Sequence, residues 1–161
     1  MGPGQPARGA GAKTSVAAAP VDDGAGGAAA ADKAARAEGG AARAAEAKVL
    51  YDKAHDALEE SDFARAFELS VASLRLRKTA RTYLLRAQAE QRLDRVDDAL
   101  ASVDAAAQLA PELGAVWELR GRILWAARRR DQAREAFEKF LAIEPDNPKA
   151  ASIRRLLNEP R

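Results

Sequence analysis

Cysteine is absent from this chain of 161 residues, so no disulfide, thiolate metal ligand or cysteine nucleophile is available to it. Histidine is nearly absent too, with His55 alone. A zinc site would need carboxylates as the only companions of that imidazole, and a general base would need a nucleophile and an orienting partner beside it. Neither constellation is evident. Aromatic residues make up only 5% of the chain, and much of the 47% hydrophobic content is alanine. No stretch approaches the roughly 18 consecutive apolar residues of a membrane-spanning helix. Val16 to Ala19 is too short for a signal-peptide core, so no cleaved secretory signal is expected and the expected compartment is cytoplasmic. The formal net charge of +2 is too small to imply a polyanionic partner by itself. Gly24–Gly27 lacks the lysine and following helix of a phosphate loop. The pairs Glu59-Glu60 and Asp97-Asp98 are adjacent and diverge around a helix, so they form no acid/base dyad. No catalytic residue, cofactor or metal is expected.

What the chain does have is a repeat. Tyr83 aligns with Trp117, Ala87 with Gly121, Ala99 with Ala133, Val103 with Phe137, and Pro111 with Pro145, each pair 34 positions apart. A weaker upstream copy holds Leu50, Ala54, Phe63 and Ala66, offset from the second by 33. A fixed period of this length marks stacked helical units whose concave face usually binds something and rarely catalyses. Small residues at Ala54, Ala66, Ala87, Ala99, Gly121 and Ala133 let helix axes approach, while Phe63, Tyr83, Trp117 and Phe137 fill the gaps between them. Burial of each such aromatic side chain stabilises by about 1.5–3 kcal/mol. Pro111 and Pro145 end their helices, because proline disfavours helical geometry at the residue before it.

Residues 1–40 carry Gly, Ala, Pro and scattered charge without periodic large apolar positions, and they are expected to form a disordered arm. Helix pairs are expected over about 42–59 and 62–76, 80–93 and 96–109, and 113–127 and 130–143. The Gly39-Gly40 pair should interrupt any helix upstream of these. After Pro145, Asn147 and Pro148 signal a helix start, and a capping helix over 148–158 should cover the apolar edge of the last pair with Ile153, Leu156 and Leu157.

The spacing and the residues at Trp117, Gly121, Leu124, Ala133, Phe137 and Pro145 resemble the tetratricopeptide repeat, a helix–turn–helix unit of 34 residues. Tyr83, Ala87, Ala99, Ala106 and Pro111 match it in the second copy, and Leu50, Ala54, Phe63 and Ala66 in the first. The first copy has Arg77-Lys78-Thr79 where a proline would close it. The resemblance implies an all-α fold: a right-handed superhelix of three repeats (about 46–79, 80–113 and 114–147) in a domain of 41–158. Within each repeat the turn usually carries glycine. Here Ser61, Asp94 and Arg128 stand there, and an arginine in a left-handed conformation is unfavourable, so the third turn is expected to be built differently. Lys53, Arg86 and Arg120 replace a common leucine, and their stems are expected to lie along the groove. Glu90 also replaces an apolar residue and should pair with a nearby arginine.

For function, the resemblance implies a non-catalytic scaffold or adaptor that binds a protein, peptide or helix in its concave groove. The expected lining is Tyr51, His55, Arg81, Leu84, Gln88, Gln91, Arg92, Glu118, Arg122 and Trp125. Its amide and guanidinium groups suit an acidic peptide held through bidentate arginine contacts. Trp125 has no place in the family pattern and reads either as an exposed anchor or as a contact to its neighbours. Some family members grip a C-terminal carboxylate with lysine, asparagine and arginine, but the matching places hold Tyr51, His55, Leu85, Ala115 and Leu119, so that clamp is missing. Three other readings remain. One is an accessory module of a larger signalling or envelope assembly that uses a convex basic surface. Another is nucleic-acid binding through Arg75-Arg77-Lys78-Arg81 and Arg128-Arg129-Arg130, which no aromatic interleaving supports. The last is self-association through exposed edges.

Overall fold

A computed structural model describes residues 24–158 of the chain, with side chains from residue 33 onward. The described residues fall into two units, one up to Arg36 and one from Ala37, and the helix pairs belong to the second. Among the described residues there are seven helices and no strand: α1 Gly24–Glu59, α2 Phe63–Leu76, α3 Ala80–Arg92, α4 Val96–Leu109, α5 Gly114–Ala126, α6 Arg130–Ile143 and α7 Ala150–Asn158. The second half of α1 pairs with α2, α3 with α4, and α5 with α6, and α7 closes the series. This is the expected right-handed array of three repeats and a cap.

Each pair is held where the period puts a small residue opposite a larger one. Ala54, Ala66, Ala87, Ala99 and Ala133 are completely buried, as close axial approach requires. The repeats also compensate across this contact: Gly121 faces Phe137, while the corresponding positions hold Ala87 with Val103, and Ala54 with Ser70. A methyl group at Gly121 would collide with the Phe137 ring. One continuous core joins the second and third repeats to Ala150, Ile153 and Leu157 of α7, and Tyr83 and Trp117 pack against it half-buried. A smaller cluster of Ala57, Ala66 and Ala89 joins the first repeat to α3. Ser73 secures α2 to α1 by donating to the Ala47 carbonyl at 2.7 Å.

All three intra-repeat turns have one geometry. Ser61, Asp94 and Arg128 have φ of 64°, 61° and 60°. Behind each, two backbone bonds close the helix end. Asp62 N–H donates to Ala57 at 2.8 Å and Ser61 N–H to Leu58 at 3.1 Å; the equivalents are Arg95 to Glu90 and Asp94 to Gln91, then Arg129 to Leu124 and Arg128 to Trp125. This is the Schellman closure, in which a left-handed residue lets the orphan carbonyls find donors. The third turn is therefore built like the others, contrary to expectation. The two backbone bonds offset the cost of the arginine's conformation.

The amino-terminal expectation needs a correction. Residues 1–23 of the proposed arm lie outside the described residues, but from Gly24 the chain is helical and continues through Gly39 and Gly40 without a break. Alanine has the highest helix propensity, and a helix already nucleated by the packed turns after Ala47 grows upstream without a second nucleation cost. At the other end, α7 begins at Ala150 instead of Pro148. Asn147 still acts as expected, its Oδ1 accepting from Lys149 N–H at 2.9 Å.

Candidate functional site: the face of the first helices

The first helix of each repeat (α1, α3 and α5) contributes the side chains that sequence spacing assigned to the groove. Tyr51, His55, Arg81, Leu84 and Gln88 line one depression of about 200 Å³. Gln88, Gln91, Arg92 and Arg122 line a second of about 200 Å³. Leu58 and Glu59 line both depressions with Gln88, so the two adjoin and form one trough across the repeats. Leu58, Glu59 and Phe63, which are not in the expected lining, line it as well. The register marked Leu58, since it stands one period before Gln91, as His55 does before Gln88.

The trough mixes polar groups with Leu58, Leu84, Leu85 and Phe63, and it carries one cation on an aromatic support. The Arg92 guanidinium lies 4.4 Å from the centre of the Phe63 ring, a stacking that holds it without neutralising it. Arg122 Nη1 reaches Glu118 Oε1 at 3.4 Å and is otherwise more than half exposed. Glu118 itself is buried, and its other oxygen meets Lys149 Nζ at 3.3 Å. It lines neither depression.

Trp125 also lies outside the two depressions. Its ring is 6.3 Å from that of Phe137, and Arg130 covers it at 3.7 Å, so it is half-buried and engaged with its neighbours. Arg86 and Arg120 depart from their expected course as well. Arg86 donates to Glu90 at 2.8 Å and lies 5.5 Å from the Phe67 ring of α2, and Arg120 pairs with Asp104 of α4. A buried carboxylate one turn along the same helix, Glu90, and a facing one on α4, Asp104, draw these stems away from the trough. Glu90 is paired as expected.

Of the two arginine clusters, the later one is largely spent within the fold. Arg129 meets Asp97 at 3.6 Å and Gln132 at 2.8 Å, Arg130 lies on Trp125, and Arg128 occupies the turn. No group of three or more potential metal ligands occurs among the described residues. Likewise, no described helix is long and apolar enough to cross a membrane.

Residues 114–147 match the family model described as tetratricopeptide repeat. No curated protein matches the chain in sequence. Solved structures match it in fold. The TPR domain of Arabidopsis OM64 is 21% identical with a TM-score of 0.68, covering 71% of this chain and 96% of that one. The second TPR domain of human RPAP3, in complex with the HSP70 peptide SGPTIEEVD, is 20% identical with a TM-score of 0.65, covering 75% and 99%. The type III secretion translocator chaperone SycD of Yersinia enterocolitica is 14% identical with a TM-score of 0.66, covering 70% and 89%. The third repeat thus matches the tetratricopeptide repeat in sequence, and the array shares the fold of solved TPR domains.

Proposed function

We propose that the chain is a protein-interaction adaptor that takes an acidic peptide or short helix along the trough of α1, α3 and α5. The observation that carries this reading is the convergence of Arg81, Arg92 and Arg122 with Tyr51, His55, Gln88 and Gln91 on two adjoining depressions. Guanidinium groups grip carboxylates through paired hydrogen bonds, and amides satisfy a peptide backbone. Support by analogy comes from human RPAP3, whose domain of the same fold is solved with a peptide ending in EEVD. This chain lacks the lysine and asparagine clamp, which favours an internal acidic segment over a free C-terminus as its ligand. The role is one of binding, not turnover.

The test is a charge reversal. Arg92→Glu together with Arg122→Glu should leave the helical signal and a cooperative melt intact, with a modest loss of melting temperature from the Phe63 stacking and the Glu118 contact, since Glu118 keeps Lys149. Capture of acidic peptides should be abolished. Undiminished capture would move the site off the trough, and binding to nucleic acid that falls steeply with salt would favour the competing reading.

A further inference from the structure

Beyond Tyr51 and Arg81 the trough opens into a larger bay of about 620 Å³ between α1, the end of α2 and the start of α3. Ala44, Ala45 and Ala47 supply a wall of methyl groups. Most polar groups around it are already occupied. Ser73 donates to Ala47, the Thr79 and Thr82 hydroxyls bond each other at 2.7 Å, and Lys48 pairs with Asp52 at 2.6 Å. The exceptions are the Tyr51 hydroxyl and, among the charged groups, Arg77 and Arg81. Both arginines line the bay, both are exposed, and neither has a side-chain hydrogen bond or ion pair among the described residues. Arg86, Arg120, Arg122 and Arg129, by contrast, all have a carboxylate partner.

The local sequence explains why the cations gather here. This junction holds Arg77-Lys78 where the next holds Ala110-Pro111 and the last Glu144-Pro145. At the last junction a carboxylate packs on Gly114 and accepts from Asn147 at 2.6 Å. At the first, the equivalent place is an arginine with nothing to neutralise it.

We propose that this bay is a subsite for one end of an acidic peptide segment. Its carboxylates meet Arg77 and Arg81, and an apolar side chain beside them rests on the alanine wall. The assignment rests on the trough reading above, since Tyr51 and Arg81 line both cavities and the peptide runs from one into the other. It adds a direction: the most acidic part of the ligand lies at the α2–α3 junction.

The test uses a fluorescein-labelled peptide of alternating glutamate and leucine, with an alternating glutamine and leucine peptide as the neutral control, read by anisotropy on the whole chain. Arg77→Gln should weaken the glutamate probe about tenfold, the loss of one charge-assisted contact. Ala45→Trp, at an exposed helix position, fills the bay without changing charge and should weaken it by about as much. Arg75→Gln removes the same charge outside the bay and should stay within about twofold of the parent. Circular dichroism melts check that each variant is folded. Parental affinity in either bay variant, an equal loss in Arg75→Gln, or no preference of the parent for glutamate over glutamine overturns the subsite. If Arg92→Glu with Arg122→Glu abolishes binding while both bay variants retain it, the trough stands and the subsite falls. The reverse pattern keeps the subsite and refutes the trough.

Discussion

Ser102 Oγ donates to Glu90 Oε2 at 2.6 Å across the α3–α4 contact, and Glu90, 1% exposed, takes its second bond from Arg86. A carboxylate at the centre of a helix pair is thus satisfied from both sides. Burying a charge is costly, and this arrangement holds only while both donors are present.

Glu90→Ala should therefore destabilise the fold by about 2–4 kcal/mol, the lower part reflecting an Arg86 that still reaches solvent. Glu90→Leu combined with Ser102→Ala removes the buried polar groups together and should recover most of that loss. Urea denaturation of the two variants and the parent checks both statements. Equal stabilities for Glu90→Ala and the parent would mean that the network contributes nothing.

Gly121 offers a sharper test of packing. Gly121→Ala drives a methyl group into the Phe137 ring, itself 1% exposed and unable to move away, and should cost about 1–3 kcal/mol. In a Phe137→Val background, which imitates the Ala87–Val103 pair of the preceding repeat, the same substitution should cost nothing or stabilise. Additive effects of the two changes would refute direct contact.

Arg128 should be improvable. At φ 60° its side chain pays a conformational cost that glycine does not, and Arg128→Gly should raise stability by about 1 kcal/mol, less the extra chain entropy glycine brings to the unfolded state. Since Arg128 makes no ion pair among the described residues, little is lost in exchange. A lower melting temperature would show that the arginine contributes something its geometry does not reveal.

The helices were legible because the period is redundant. Small residues, aromatics and prolines recur at one spacing, so α2 to α6 lie within a residue or so of their expected bounds. The trough followed from the same register. Side-chain partnerships were not legible, since they depend on which carboxylate happens to face a given arginine. Asp104 draws Arg120 toward α4, which nothing in the spacing foretells; that Glu90 pairs with an arginine was expected, but not that it would be Arg86. Trp125 looked unassigned because the family pattern gives it no role, whereas Phe137 and Arg130 do. The turn at Arg128 was misjudged because local preference was weighed alone, without the two backbone bonds that outweigh it. Upstream of Ala41, composition argued for disorder, but continuity with a packed helix extends α1 to Gly24.

Glu118 shows how the tail of the array conditions the proposed recognition face. The carboxylate is shared between Arg122, a lining residue, and Lys149, which belongs to the segment after the last repeat. Electrostatic appetite at that end of the binding surface is consequently set from outside it. Strip away Lys149 and the anion draws harder on the arginine, leaving less positive potential to meet the proposed ligand.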